Sequence, residues 1–159
     1  MSDIKAKFGS AAQAFTITIA SLANNACRSS VAIDNSTNLF LDALVSVKIK
    51  SAAASTSATG YVNIYAYGST DTGTTYAENG GLDSAITLTS PPNVRLIGSL
   101  NVVANAVTYI SEPMSVAAAF GGALPQYWGI MIENKTAATL DATGGSHYAQ
   151  YQGVYGQVG

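Results

Sequence analysis

The stretch LFLDALVSVKIK, residues 39–50, decides the fold class. Every second position in it is apolar: Leu39, Leu41, Ala43, Val45, Val47 and Ile49. The intervening positions include four polar residues: Asp42, Ser46, Lys48 and Lys50. Successive side chains of a β-strand point to opposite faces, whereas a helix would not separate residues at a period of two. The stretch therefore predicts a strand with one face on a core.

The same alternation recurs along the chain, in residues 15–19, 61–67, 94–102, 127–133 and 147–158. In residues 94–102 the apolar positions, predicted to face the core, are Val94, Leu96, Leu100 and Val102. Shorter candidate strands are residues 27–33, 85–88, 107–115 and 137–140. Turn-forming residues separate these segments, and only residues 116–123 suggest a helical turn or two. Eight to ten strands without interleaved helices predict an all-β protein, an antiparallel β-sandwich that is jelly-roll-like.

A length of 159 residues is that of one domain. Residues 13–159 are predicted to form a single β-sandwich domain. Residues 1–12 are small and polar, and they could form an arm that reaches a neighbouring subunit or a frayed terminus.

The composition favours protein contacts. Charged residues make up 10% of the chain, against about 25% in an average protein. A surface of Ser, Thr, Asn and Gln costs less to desolvate than one rich in Lys and Glu. The net charge is -2, and the seven Lys and Arg residues form no stripe, so direct nucleic-acid binding is not expected. No run approaches the roughly 20 apolar residues of a membrane span, and we expect no export signal.

Residues that could carry chemistry are few. Cys27 is the one cysteine and His147 the one histidine, and each is expected to be structural. Residues 68–83 contain three acids, so a calcium site is conceivable there, but the alternative is a long loop that presents Tyr76 to a partner. The sequence predicts no enzyme, and no catalytic, metal or cofactor site.

Tyrosines are the candidate contact residues. Three alternate along one predicted strand and would face outward if Val62 and Ile64 face the core: Tyr61, Tyr65 and Tyr67. Such a row could anchor an interface or stack on sugars, or a loop could cover it within the monomer. The remaining interface candidates are Tyr76 and three tyrosines of the tail: Tyr148, Tyr151 and Tyr155.

Several segments resemble small virion structural proteins of tailed bacteriophages. They are GYVNIYAYG at 60–68 with the following STD, NVRLIG at 93–98, PMSVAAAFGG at 113–122, LPQYWGIMIEN at 124–134 and YQGVY at 151–155. The resemblance covers roughly residues 60–156 and implies a structural role in the virion, usually as an oligomer.

The expected function is that of a capsid decoration (cement) protein that binds and stabilises the shell of major capsid protein. A tail, collar or fibre component is the alternative, and a carbohydrate-binding β-sandwich module is a third hypothesis. Assembly would take place in the cytoplasm of the host bacterium.

Overall fold

The computed structural model describes residues 3–159, in which twelve strands form two antiparallel sheets. The strands are β1 Ile4–Phe8, β2 Gln13–Ala14, β3 Cys27–Ser29, β4 Ile33–Asp34, β5 Asp42–Lys50, β6 Tyr61–Ser69, β7 Ser84–Ile86, β8 Arg95–Asn101, β9 Thr108–Ile110, β10 Met114–Ser115, β11 Tyr127–Lys135 and β12 Tyr148–Val158. Three short 3-10 turns lie between them: Ala77–Asn79, Ala117–Phe120 and Gly144–Ser146. The all-β prediction is confirmed. The strand count exceeds eight to ten because β2, β4 and β10 have only two residues each.

The two sheets pack face to face. The first sheet has the order β1-β12-β5-β10, with β2 on β12 and β9 on β5. The second sheet has the order β7-β3-β11-β6-β8, with β4 on β11. One core cluster takes side chains from both sheets, among them Val45, Val47 and Ile49 of β5 and Val62, Ile64, Ile130 and Ile132 of β6 and β11. The arrangement is sandwich-like, and the jelly-roll connectivity stays a prediction.

Trp128 of β11 lies at the centre of this core. It is fully buried, and its ring meets Phe15 edge-on at 5.5 Å and Tyr151 edge-on at 5.1 Å between centroids. Its indole Nε1 has no acceptor among the described residues. The aromatic contact ties β12 of the first sheet to β11 of the second.

Two predicted strands are wrong. Residues 15–19 cross from one sheet to the other instead of forming a strand: Phe15 N donates to Ala149 O of the first sheet, and Thr16 O accepts from Val31 N beside the second. Their apolar side chains point inward and close the end of the sandwich. Residues 137–140 form a turn because the Asn134 side-chain amide donates to Ala138 O and bends the chain locally.

In β8, the side chains that face the core also differ from those predicted. A bulge lies where Ile64 pairs with Gly98 and Tyr65 pairs with Leu96, so Ile97 is the extra residue. Leu96 consequently faces water, while Ile97 packs against the core.

The described part of the N-terminal segment, residues 3–12, folds back along the C-terminus. β1 pairs with the end of β12 over its whole length, from Ile4 opposite Val158 to Phe8 opposite Val154. Residues 1 and 2 of the predicted arm lie outside the described residues. Among residues 3–159, no helix is long and apolar enough to cross a membrane.

Candidate functional site

The predicted tyrosine row lies on the outer face of the second sheet, but a loop covers most of it. Tyr65 and Tyr67 are 7% and 1% exposed, whereas Tyr61 is 38% exposed. The covering loop lies within residues 70–93, which also include β7 at the edge of the same sheet, and it packs Tyr76 edge-on against Tyr67 at 5.3 Å between ring centroids. Together they build a second, smaller apolar cluster: Cys27, Tyr65, Tyr67, Val94 and Met131, with Ala32, Tyr76, Ala77, Ile86 and Leu88 around it.

Both covered tyrosines have internal hydrogen-bond partners. Tyr67 Oη donates to Ser30 O at 2.7 Å, and Tyr65 Oη donates to Glu133 Oε2 at 2.9 Å. Asn63 Nδ2 donates to the same Glu133 oxygen at 3.1 Å. Burial, followed by the Glu133 carboxylate, raises the pKa of Tyr65 to about 12. These two hydroxyls are committed within the monomer, so neither is available for a sugar or a partner.

The acids of residues 68–83 do not converge on a common point. Asp71 accepts hydrogen bonds from the backbone N–H groups of Thr74 and Thr75, and Glu78 accepts from the Thr89 and Asn93 N–H groups. Within residues 3–159 no group of three or more His, Cys, Asp or Glu side chains is placed to hold a metal ion. Each of these two carboxylates stabilises its own turn of the covering loop.

Asp83 ties that loop to the rest of the sandwich. Its carboxylate accepts hydrogen bonds from Thr18 N at 3.0 Å, Thr18 Oγ1 at 2.7 Å and Arg28 Nε at 2.5 Å. Burial alone would raise the pKa of Asp83, but the hydrogen bonds and charge of Arg28 and the donors of Thr18 outweigh it, so the pKa is lowered.

His147 and Cys27 are held in structural positions. His147 Nδ1 accepts from Lys50 N at 3.3 Å, and Nε2 lies 2.9 Å from Asp141 O, so both ring nitrogens face backbone groups. Cys27 is buried, and burial raises the pKa of its thiol to about 12. At neutral pH the thiol is protonated, which makes it a poor nucleophile.

The tail tyrosines point in different directions. Tyr151 is a core residue, 4% exposed. Tyr148 lies under the Lys48 ammonium, which is 4.9 Å from its ring centroid, and Tyr155 lies beside Phe40 with ring centroids 6.2 Å apart. The seven predicted interface tyrosines therefore do not form one surface, and three of them are buried.

The outer face of the first sheet offers the surface that the tyrosine pattern missed. Its centre consists of two cross-strand pairs, Leu44 with Gln152 and Ser46 with Gln150, which we call the open face. All four side chains are partly exposed and none is charged. Residues 9–14 border this face along β12, where the Gln152 amide donates to Gly9 O at 2.8 Å, but the side chains of Leu44, Ser46, Gln150 and Gln152 stay partly exposed.

The same outer face continues along β12 to the apolar side of the strand pair formed by β1 and residues 154–158 of β12, which we call the ribbon. Ile4 is 78% exposed, Phe8 52% and Val158 66%. The period-two alternation of Ile4, Ala6 and Phe8 with two lysines was present in the sequence and could have indicated this strand. The small and polar composition of the flanking residues pointed instead to an irregular arm.

Within residues 3–159 the chain is an all-β protein in which the four uncharged residues of the open face are partly exposed, with Asp42 and Lys48 at the two ends of that face, and in which the apolar side of the ribbon is exposed. The chain was compared with protein-family models, curated protein sequences and solved structures, and none of the three comparisons finds a match.

Proposed function

We propose that this chain is a virion structural protein of a tailed bacteriophage, a capsid decoration (cement) protein that binds and stabilises the shell of major capsid protein. The assignment to a virion rests on the sequence resemblance over residues 60–156. The observation that carries the binding role is the open face.

The open face suits a broad protein contact for an energetic reason. Covering Ser46 and Gln150 at its centre removes no full charge from water, and Asp42 and Lys48 at its two ends would lie at the polar rim of the contact. The Gln150 amide can pair again with polar groups of a partner, while the Gln152 amide already donates to Gly9 O at 2.8 Å. The second sheet already has its own cover, so the two outer faces differ in the way expected of a protein that binds through one side. Binding to assembled shells stabilises them by mass action, as any ligand stabilises the state that it binds.

Heating particles that contain or lack this protein tests the proposal. Particles without it are expected to release DNA at a lower temperature. Unchanged heat stability would overturn the cement role. Copy number then separates the shell from the alternative of a tail, collar or fibre component, because hundreds of copies fit a shell and small multiples of three or six fit a tail.

A variant pair tests the surface itself. Gln150→Glu adds one charge to the open face with almost no change in shape, and Thr139→Glu adds the same charge to an exposed turn after β11. Burying an unpaired carboxylate is costly, so Gln150→Glu is expected to weaken shell binding at least about tenfold. Thr139→Glu should bind like the wild type. Equal binding by both variants would place the contact elsewhere.

The carbohydrate-binding hypothesis depended on the row Tyr61, Tyr65 and Tyr67. Only Tyr61 reaches the surface to a substantial extent. A single tyrosine offers no stacking platform for several sugar rings, so we do not pursue this function.

A further inference from the structure

The covering loop contains Asn79-Gly80, the one Asn-Gly dipeptide of the chain. The backbone nitrogen of a residue that follows asparagine can attack the side-chain amide carbon and close a ring. Glycine has no Cβ to hinder that approach. Each of the other nine asparagines precedes a residue that has a side chain. The sequence therefore makes Asn79 the asparagine most open to attack by its own backbone.

The Asn79 side chain is accessible to solvent. It is exposed, and no hydrogen bond of its amide group occurs within residues 3–159. Glu78 and Asn79 both have a φ of 54°, in the left-handed region that residues with a Cβ adopt less readily than glycine. The turn Ala77–Asn79 therefore combines an unfavourable backbone conformation with an unrestrained side-chain amide.

The folded loop restrains the attacking nitrogen. Gly80 N donates to Ala77 O at 3.2 Å. A Cβ built on Gly80 would lie 2.8 Å from Met131 Cε and 3.3 Å from Tyr67 Cδ2, so Gly80 packs closely on the second apolar cluster. Attack requires Gly80 N to leave its hydrogen bond, which happens when the loop opens locally. The frequency of loop opening should therefore set the rate of the reaction.

We propose that Asn79 is a deamidation site, at which opening of the covering loop leads to conversion of the side-chain amide into a carboxylate. Gly80 N forms a bond to Asn79 Cγ, and the Cγ–Nδ2 bond breaks. The leaving nitrogen takes up the proton that Gly80 N loses and departs as ammonia. Water then hydrolyses one of the two carbonyl–nitrogen bonds of the cyclic imide and yields aspartate or isoaspartate. Water is the only co-reactant.

Either product disturbs the turn. Both place a new carboxylate beside Glu78, whose own carboxylate accepts hydrogen bonds from Thr89 N at 3.1 Å and Asn93 N at 2.8 Å. Neighbouring like charges repel each other. Isoaspartate also lengthens the backbone between Glu78 and Gly80, because the chain then runs through the side-chain carbonyl. We therefore expect the modified loop to cover the second apolar cluster less completely.

Ageing of the purified full chain at pH 8, followed by peptide mass mapping, tests this inference. The peptide that contains Asn79 should gain the mass difference between an amide and an acid at least about tenfold faster than peptides with other asparagines. Asn79→Gln is the matched control. It keeps the amide, but its longer side chain closes the ring much more slowly, so this peptide should keep its mass.

A second variant pair tests the dependence on loop opening. Tyr67→Ala removes a ring that packs against Gly80, so it should convert Asn79 severalfold faster than the wild type. Tyr61→Ala lies on the same strand outside the loop and should convert Asn79 at the wild-type rate. Circular dichroism checks that each variant is folded, and Tyr67→Phe is the milder variant if Tyr67→Ala is not.

Two results would overturn the inference. In the first, the wild type keeps the Asn79 amide while the urea-unfolded chain loses it, which would mean that the native turn blocks the reaction. In the second, the wild type and the folded Tyr67 variant convert Asn79 at equal rates, which would mean that loop opening does not control it.

The Cys27 thiol reports the effect on the loop, since it lies in the same buried cluster as Tyr67 and Met131. Aged wild type should react with a thiol reagent faster than Asn79→Gln aged in the same way. Equal reaction rates would overturn the expected loosening of the cover. These measurements concern the second sheet of the isolated chain, so their failure would leave the shell-binding proposal to its own test.

Discussion

Replacing Tyr67 by Phe removes one buried hydroxyl and tests whether residues 70–93 cover the second sheet in solution. The hydroxyl donates to Ser30 O at 2.7 Å in a side chain that is almost completely buried. The Phe variant keeps the ring, so its edge-on contact with Tyr76 remains.

The expected loss follows from the hydrogen bond alone. Ser30 O keeps a second donor, Ser29 Oγ at 3.0 Å, so the substitution leaves no unpaired carbonyl. The free energy of unfolding should therefore fall by about 0.5–1.5 kcal/mol. In a protein of this length, that loss corresponds to a decrease in Tm of roughly 1–6 °C. Removing the whole ring, as in Tyr67→Ala, should cost about 3–5 kcal/mol.

Urea unfolding at pH 7 measures these differences, provided that the m-value stays constant. Tyr61 is the matched control, since it lies on the same strand and face but outside the loop, and no hydrogen bond of its hydroxyl occurs within residues 3–159. Tyr61→Phe should change stability by no more than about 0.5 kcal/mol. Equal losses for Tyr67→Phe and Tyr61→Phe would refute the covered arrangement.

Three further outcomes follow from the same contacts. Gly129→Ala should destabilise the protein by about 1–3 kcal/mol, because the added Cβ would clash with Tyr67 Oη. Gly144→Ala, with no atom within 4 Å of the added Cβ, is the control, and equal thermal stability of the two variants would contradict this packing. The Asp83 carboxyl has a pKa below its ordinary 3.8, so its stabilising effect is present above that value and is lost as the pH falls through the lowered pKa. Asp83→Asn should accordingly lower the free energy of unfolding at pH 7 and reduce its decrease as the pH falls into the acid range. If the acid dependence of the free energy of unfolding is unchanged in the variant, the carboxylate does not stabilise the fold. The Cys27 thiol should react with a thiol reagent at pH 8 only as fast as the protein opens; immediate labelling of the native protein would show that the thiol is accessible.

The sequence was most informative where one strand has one covered face and one free face. In β5, the alternation of Val45, Val47 and Ile49 with Ser46 and Lys48 predicted both the strand and its buried side, and the structure has both. The prediction was wrong for Leu39 and Leu41, which precede β5 and are 69% and 61% exposed. The pattern works there because the register between β5 and β12 has no interruption.

Periodicity could not reveal features that depend on contacts distant in sequence. The alternation through Leu96 predicted that it faces the core, but the bulge opposite Ile64 shifts the phase by one residue. Tyr65 and Tyr67 alternate as surface residues do, yet residues distant in sequence bury them. Phe15 has a strand-like pattern because it packs inward, although the segment crosses between sheets instead of pairing within one.

The ribbon shows a different limitation. Alternation at Ile4, Ala6 and Phe8 covers only five residues, which is too short to outweigh the small, polar residues around it. Pairing with the far end of the chain, at Val158, makes it a strand. The tyrosines were chosen for chemical type, which does not show whether a side chain is exposed: Tyr65, Tyr67 and Tyr151 are buried.

A reconstruction of the phage particle that contains this protein tests the central proposal most directly. The account predicts hundreds of copies on the capsid, each with the open face around Leu44 and Gln150 turned towards the major capsid protein. Absence of the protein from the particle, or its presence only in the tail, would contradict the proposed role as a capsid decoration protein.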